Sequence, residues 1–150
     1  MELQDEILIK APRDVVYAAL NDPEVLQACI PGCEELIKHS DTELEAKVVL
    51  KIGPVKARFG GKVTLNPENP PERFTLTGEG SGGAAGFARG GASVDLEAQG
   101  DTTLLRYDAH AEIGGKLAQL GSRLIQSTAR KLAARFFTAF AEKVGTHEKA

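Results

Sequence analysis

The chain has 150 residues, of which 42% are apolar and 26% charged, as is typical of one soluble globular domain with a sizeable core. Its formal net charge of −3 argues against a nucleic-acid binder, because such proteins need a clearly basic surface. No run of 18 apolar residues occurs, and the acidic beginning of the chain is unlike a signal peptide. We therefore expect a cytoplasmic protein whose two cysteines are reduced, with any membrane contact peripheral or made through a partner.

The first 32 residues predict one strand followed by two short helices. Apolar and polar residues alternate over residues 2–10, which is the pattern of a half-buried strand. Pro12 suits the first turn of a helix. A second helix is expected to start with Asp22 as its N-cap and Pro23 as its first residue, since Pro23 would break a continuous helix.

Six further strands are predicted between residues 33 and 113, because apolar side chains there recur at every second position. Residues 66–72 contain three prolines and are expected to form a loop. Consecutive strands can be joined by hairpins, so the sheet should be antiparallel and should curl through its own twist. One face of this curved sheet is apolar, and the other carries charged side chains.

Glycine makes up seven of the fourteen residues between 78 and 91. One interpretation is a strongly bent or bulged pair of strands, where backbones approach closely. The other is that missing side chains leave room for a ligand inside the curved sheet. The two interpretations are compatible. The segment is not a phosphate-binding loop, because it lacks the Lys-Ser/Thr pair of that motif.

Residues 114–144 predict one long C-terminal helix, about 45 Å in length. Its apolar stripe consists of Leu117, Leu120, Leu124, Ala129, Leu132, Phe136 and Phe140. Such a helix would close the mouth of the curled sheet and enclose an apolar cavity. Among the side chains expected to line this cavity, only Tyr107 has a hydroxyl, so it is the best candidate to donate a hydrogen bond to a ligand. The side chains expected to line the cavity are Leu44, Val48, Leu50, Phe59, Phe74, Leu76, Leu105, Tyr107, Leu117, Leu120 and Leu124.

Charge is unevenly distributed, with a balance of −8 over residues 1–115 and +5 over the remainder. The basic residues of the predicted helix form either a solvated face or a surface for anionic headgroups or an acidic partner. Lys116, Arg123 and Arg130 are seven residues apart and would share one side of the helix. The candidates for this surface are Lys116, Arg123, Arg130, Lys131 and Arg135.

The sequence offers no catalytic residues and no metal site. His39, His110 and His147 fall on a turn, on the polar side of a strand and in the C-terminal tail, so they are not expected to converge. Cys29 is predicted to be a core residue, and Cys33 to border the cavity mouth without a basic neighbour to activate it. The alternation also predicts that no carboxylate or histidine lies beside Tyr107.

Three segments together resemble a known family. The chain is similar to START-like (Bet v 1-type, SRPBCC, helix-grip) domains and, more narrowly, to the G-subunit family of carbon monoxide dehydrogenase. The resemblance covers almost the whole chain, and its most specific part is residues 114–125. The segments that carry it are Ile30-Pro31-Gly32-Cys33-Glu34, Gly86-Phe87-Ala88-Arg89-Gly90 and residues 114–125.

The resemblance implies an α+β helix-grip fold, in which a seven-stranded curved antiparallel sheet carries two short helices and a long C-terminal helix. A single domain would span residues 1–145, followed by a frayed tail at 146–150. It also implies a non-catalytic accessory protein that assists or recruits a carbon monoxide dehydrogenase-type molybdenum hydroxylase at the inner face of the cytoplasmic membrane. No covalent cofactor is expected, and the ligand would be lipophilic, such as a quinone or a lipid.

Two alternatives are kept. The first is a START-like enzyme of the cyclase type that uses the same cavity, which would require an acid–base pair inside it. The second is a purely structural docking protein whose cavity is collapsed and filled by Phe59, Phe74 and Phe87. The oligomeric state is not predicted.

Overall fold

A computed structural model describes residues 1–148, and the surroundings of side chains for residues 1–145. It contains a seven-stranded antiparallel sheet with the strand order β1-β7-β6-β5-β4-β3-β2. The strands are β1 (Glu2–Ile9), β2 (Cys33–Lys38), β3 (Glu43–Ile52), β4 (Val55–Asn69), β5 (Arg73–Ser81), β6 (Phe87–Gln99) and β7 (Thr102–Gly114).

Two short helices connect the two edges of this sheet. Since β1 pairs with β7 and β2 pairs with β3, the helices carry the chain from one edge strand to the other. The Asp22 carboxylate caps the second helix by accepting the Glu24 N–H at 3.0 Å, and Pro23 is the first helical residue, as predicted. The helices are α1 (Arg13–Leu20), α2 (Pro23–Cys29) and α3 (Ser122–Glu148).

The core lies where α1, α2 and the C-terminal half of α3 pack on the sheet. Ile9, Val16, Leu105 and Phe140 have no exposed surface there, and Val144 is 2% exposed. The buried Thr103 hydroxyl donates to the Ala11 carbonyl at 2.8 Å, so this polar group is satisfied inside the apolar cluster. The predicted α+β architecture of curved antiparallel sheet, two short helices and long C-terminal helix is confirmed.

The last helix begins later than predicted. Strand β7 continues to Gly114, a 3₁₀ helix covers Gly115–Leu120, and α3 starts at Ser122. Gly115 is the first residue of the 3₁₀ helix, and Gly121 follows its last residue. Their φ values of +74° and +92° are incompatible with an α-helix, so one continuous α-helix from residue 114 cannot form. The prediction that Leu117 and Leu120 lie on the same helix face as Leu124 is therefore wrong.

The same break separates Lys116 from the arginines of α3, so the predicted row of Lys116, Arg123 and Arg130 along one helix does not form. At its other end, α3 continues to Glu148 and so extends into the segment predicted to be a frayed tail. Residues 149 and 150 of that segment lie outside the described part of the chain.

The predicted proline loop at residues 66–72 is also shorter than expected. Strand β4 extends to Asn69, with Pro67 opposite Phe74 of β5 and an irregular register between Pro67 and Asn69. Pairing of β4 with β3 ends at Thr64, so the far end of β4 is an edge. Proline is tolerated on such an edge, where one side of the strand has no partner to which an N–H must donate.

Candidate functional site

The register of the sheet identifies the side chains on its concave face. Leu105 and Tyr107 of β7 are opposite Leu96 and Val94 of β6, and the alternation continues across every strand. In the middle of the sheet this face consists of small residues, which leave the concave surface almost without side chains. They are Ala46, Gly61, Gly78, Gly80, Ala88, Gly90 and Ala92.

Two glycines of β6 are required for close strand contact. A Cβ atom on Gly90 would overlap the carbonyl oxygen of His110 on β7, and one on Gly91 would lie 2.9 Å from the Leu76 carbonyl oxygen. The bent-strand interpretation of the glycine-rich segment therefore accounts for Gly90. A Cβ atom on Gly78 or Gly80 would lie 3.4 Å or more from its neighbours, which is an ordinary van der Waals distance. Strand contact does not require glycine at these two positions, and the missing side chains leave space on the concave face.

Four of the predicted cavity residues belong to buried regions. Leu105 has no exposed surface, while Phe74, Leu117 and Leu44 are 3%, 4% and 5% exposed. These four side chains pack in buried surroundings, and their role as ligand-cavity residues stays a prediction. The other predicted lining residues are partly exposed, namely Val48, Leu50, Phe59, Leu76, Tyr107, Leu120 and Leu124.

A cavity of about 240 Å³ lies between α3 and the strands β1 and β7. Leu3 and Ile7 of β1 supply apolar walls, and Phe137 of α3 stacks on Tyr107 with ring centroids 5.3 Å apart. Polar groups reach the same cavity from Asp5 and Arg130. Glu2, Gln4 and Gln126 also line it, so the cavity combines an apolar wall with a polar one. Small-molecule sites likewise use polar groups to orient a ligand held against apolar side chains.

Tyr107 is suited to donate a hydrogen bond in this cavity. Burial raises the pKa of its hydroxyl, and the negative charge of Asp5 raises it further, so the phenol stays protonated at neutral pH. Its hydroxyl makes no hydrogen bond within the described residues. Its place at the cavity agrees with the sequence, while its contact with a ligand stays a prediction.

Asp5 is the polar residue opposite Tyr107 that the sequence analysis missed. It is directly opposite Tyr107 in the β1–β7 pair, so the prediction that no carboxylate lies beside Tyr107 is wrong. One carboxylate oxygen, Oδ1, accepts the Glu6 N–H at 2.8 Å. The signal was present in the sequence, because Asp5 shares the alternation of Leu3 and Ile7 and must face the same side as they do.

Arg130 belongs to an exposed basic surface on α3, which we define as Arg123, Arg130, Lys131 and Arg135. Arginines elsewhere pair with carboxylates, for example Arg58 with Glu34 at 2.9 Å. Within the part of the chain whose side chains are described, none of these four cations is within salt-bridge distance of a carboxylate. The basic surface therefore keeps an uncompensated positive charge. The remaining ion-paired arginines are Arg13, Arg73, Arg89 and Arg106.

The two cysteines line a separate groove between the α2–β2 turn and α3. Cys29 is 3% exposed and belongs to the core, as predicted, whereas Cys33 is half-buried and its thiol donates to the Glu35 carbonyl at 3.5 Å. Burial raises the pKa of both thiols, so neither is an activated thiolate at neutral pH. No nucleophile is evident in this groove.

The described residues contain no cluster of His, Cys, Asp or Glu that could hold a metal ion. His39 is on the outer face, where its ring nitrogen lies 2.7 Å from Glu45, and His110 is on the outer face of β7. The side chain of His147 lies outside the described residues. Within that part of the chain, no helix is both long and apolar enough to cross a bilayer.

The fold defines a START-like helix-grip domain. A START superfamily protein from Mycobacterium smegmatis has a TM-score of 0.74 at 13% identity, covering 97% of this chain and 97% of that chain. The Zhui aromatase/cyclase from Streptomyces sp. R1128 has a TM-score of 0.68 at 10% identity, covering 96% and 93%. These similarities establish the fold alone.

Within this class, the chain belongs to the carbon monoxide dehydrogenase G-subunit (CoxG) family, whose sequence pattern matches residues 6–145. A conserved protein from Geobacillus kaustophilus is 28% identical, with a TM-score of 0.90 and coverage of 97% of this chain and 96% of that chain. No curated protein is significantly similar to the chain.

Proposed function

We propose that this protein is a non-catalytic accessory factor that binds a hydrophobic small molecule between its sheet and α3. The observation that carries the proposal is the cavity of about 240 Å³, in which the stacked Tyr107–Phe137 pair forms an aromatic wall. The Tyr107 hydroxyl there makes no hydrogen bond to any residue whose side chain is described. Family membership supports an accessory role beside a carbon monoxide dehydrogenase-type molybdenum hydroxylase.

The cavity volume limits what can be enclosed. Sites for drug-sized ligands are about 300–1,000 Å³, so this cavity suits a single ring or a short chain segment. A quinone or a lipid would place its head group here and extend along the concave face. The half-buried Val48, Leu50 and Phe59 on that face would then cover the remainder of the ligand.

Replacing Ala133, a half-buried cavity residue of α3, tests the location of the ligand. We expect Ala133→Phe to fill the cavity and to weaken binding of tetramethyl-1,4-benzoquinone at least about tenfold, measured by calorimetric titration. Ala18→Phe, at an exposed position of α1, is the matched control and should bind like the parent protein. Equal binding by all three proteins would place the ligand elsewhere, and no binding by the parent would remove this quinone as a ligand.

The basic surface of α3 is proposed to dock the partner or an anionic membrane. The surface carries no exposed large apolar side chain, since the exposed ones are Leu8, Ile37 and Phe87. A helix that inserts into the membrane interface presents such side chains, so docking here would rest on charge. We favour an acidic protein surface, with peripheral membrane contact as the alternative.

Charge reversal tests this docking. Arg123→Glu with Arg135→Glu should leave the melting temperature nearly unchanged and weaken co-sedimentation with the purified dehydrogenase complex about tenfold or more. Lys51→Glu with Lys56→Glu makes the same change in net charge on the β3–β4 hairpin and should have little effect. Loss of sedimentation with phosphatidylglycerol vesicles, but not with the complex, would favour the membrane. Unchanged attachment to both would show that the basic surface only aids solubility.

A cyclase-type enzyme is the second candidate, and the observation that favours it is Asp5 opposite Tyr107. An acid–base pair in the cavity is what this alternative requires. Asp5 is exposed and already accepts the Glu6 N–H, which fits ligand orientation better than proton transfer in a water-excluded site. The filled-cavity alternative needs Phe59, Phe74 and Phe87 inside the sheet. Phe74 is buried, but Phe87 is 43% exposed on the outer face and does not fill the interior.

A further inference from the structure

Asp5 and Tyr107 occupy directly opposite positions of β1 and β7, and both line the cavity between α3 and these strands. The Tyr107 hydroxyl is a donor that stays protonated, and Oδ2 of Asp5 is an acceptor, while Oδ1 is engaged by the Glu6 N–H. Neither the hydroxyl nor Oδ2 has a hydrogen bond within the described residues. Since a carboxylate only accepts hydrogen bonds, a ligand group facing Asp5 must itself carry a donor.

The surrounding groups restrict the shape and charge of the ligand. Leu3 and Ile7 are apolar, and the parallel rings of Tyr107 and Phe137, inclined by 18°, form a flat aromatic wall. The Gln126 side-chain amide donates a hydrogen bond to the Glu2 carbonyl at 2.6 Å, so it is engaged within the protein. Arg130 provides a second donor but shares the cavity with the Asp5 carboxylate, so an anionic ligand gains no clear advantage.

We propose that this cavity selects a hydroxylated aromatic ring, a phenol or a hydroquinone, whose hydroxyl donates to Asp5 and accepts from Tyr107. The inference rests on the proposed ligand-binding function and makes it more specific. For a redox-active ring, it means that the reduced hydroquinone binds more tightly than the quinone. The quinone has only carbonyl oxygens, which would face the negative charge of Asp5 without a proton between them.

A pair of probes that share one ring, of which only one carries a hydroxyl donor, tests this selection, and the Asp5 variant below separates the donor from the added methyl group. 2,3,5-Trimethylphenol and 2,3,5-trimethylanisole have the same ring, but the anisole cannot donate. We expect the phenol to bind at least about tenfold more tightly in calorimetric titrations, because a hydrogen bond to a charged group is stronger than a neutral one. Tetramethylhydroquinone should exceed tetramethyl-1,4-benzoquinone by a similar factor under anaerobic conditions.

Variants assign the preference to Asp5. Asp5→Asn keeps the size of the side chain and removes its charge, so the phenol-to-anisole ratio should fall several-fold. Asp108→Asn is the control: it lies on the outer face of β7 next to Tyr107 and should leave the ratio unchanged. Circular dichroism and melting temperatures would verify that both variants fold.

The outcomes separate this inference from the proposed function. Equal binding of phenol and anisole to the parent protein would overturn the inference and leave the hydrophobic cavity standing. A preference that persists in Asp5→Asn would also overturn it. Binding of neither probe and of neither tetramethyl compound would overturn the ligand-binding function and this inference together.

Discussion

Phe140→Ala should lower the free energy of unfolding by about 3–5 kcal/mol, the range for removing a fully buried aromatic side chain. Phe140 is 0% exposed and stacks on Phe136 with ring centroids 5.7 Å apart. It joins α3 to the core cluster that contains Ile9 and Leu105. Its removal would leave a cavity at the point where the helix is held against the sheet. Chemical denaturation at constant pH provides the measurement.

Phe87→Ala is the matched control for this substitution. Phe87 is 43% exposed on the outer face, so its truncation should cost about 1 kcal/mol or less. Similar losses in the two variants would mean that α3 is not anchored through Phe140. Ligand binding by Phe140→Ala should also weaken, because a loosened α3 no longer closes the cavity.

Gly90→Ala is the second large effect, and we expect a loss of about 3 kcal/mol. The added Cβ would overlap the backbone carbonyl of His110, and a backbone atom in a hydrogen-bonded strand has little freedom to move away. Relief would require β6 and β7 to separate at this point. Thermal unfolding and hydrogen exchange of the β6–β7 amides would measure the global loss and the local opening.

Gly60→Ala, in strand β4 of the same sheet, provides the control. A Cβ on Gly60 would meet nothing within 4 Å, so the change in stability should be within about 1 kcal/mol and of either sign. A neutral Gly90→Ala would show that the strands accommodate a side chain there. In that case, the only remaining reason for a glycine at position 90 would be the room that it leaves for a ligand on the concave face.

Much of the fold was predictable because its signals are local. The alternation of apolar and polar residues identified the strands, and Asp22 with Pro23 placed the start of α2. These signals depend on neighbouring residues, whose side chains alternate in direction along a strand. The same alternation contained Asp5 and the outward direction of Phe87, so these two features could have been read from the sequence.

Other features depend on contacts between distant parts of the chain. The extension of β4 past Pro67 depends on where β3 begins, because the two strands are antiparallel and Glu43 pairs with Thr64. The start of α3 depends on the positive φ of Gly115 and Gly121. The apolar spacing of Leu117, Leu120 and Leu124 is compatible with one helix or with two separate elements. Periodicity alone therefore could not locate the break.

The sequence by itself determined the strand and helix content, the antiparallel hairpins, the apolar concave face and the family resemblance. Only the tertiary structure decided which apolar side chains fill the core and which border the cavity. It also brought Asp5 of the first strand opposite Tyr107 of the last and placed Arg130 at the same cavity. The physical reason is that burial and cavity shape arise from packing between strands and helices far apart in the chain, whereas alternation reports only on which side of its own strand a residue lies.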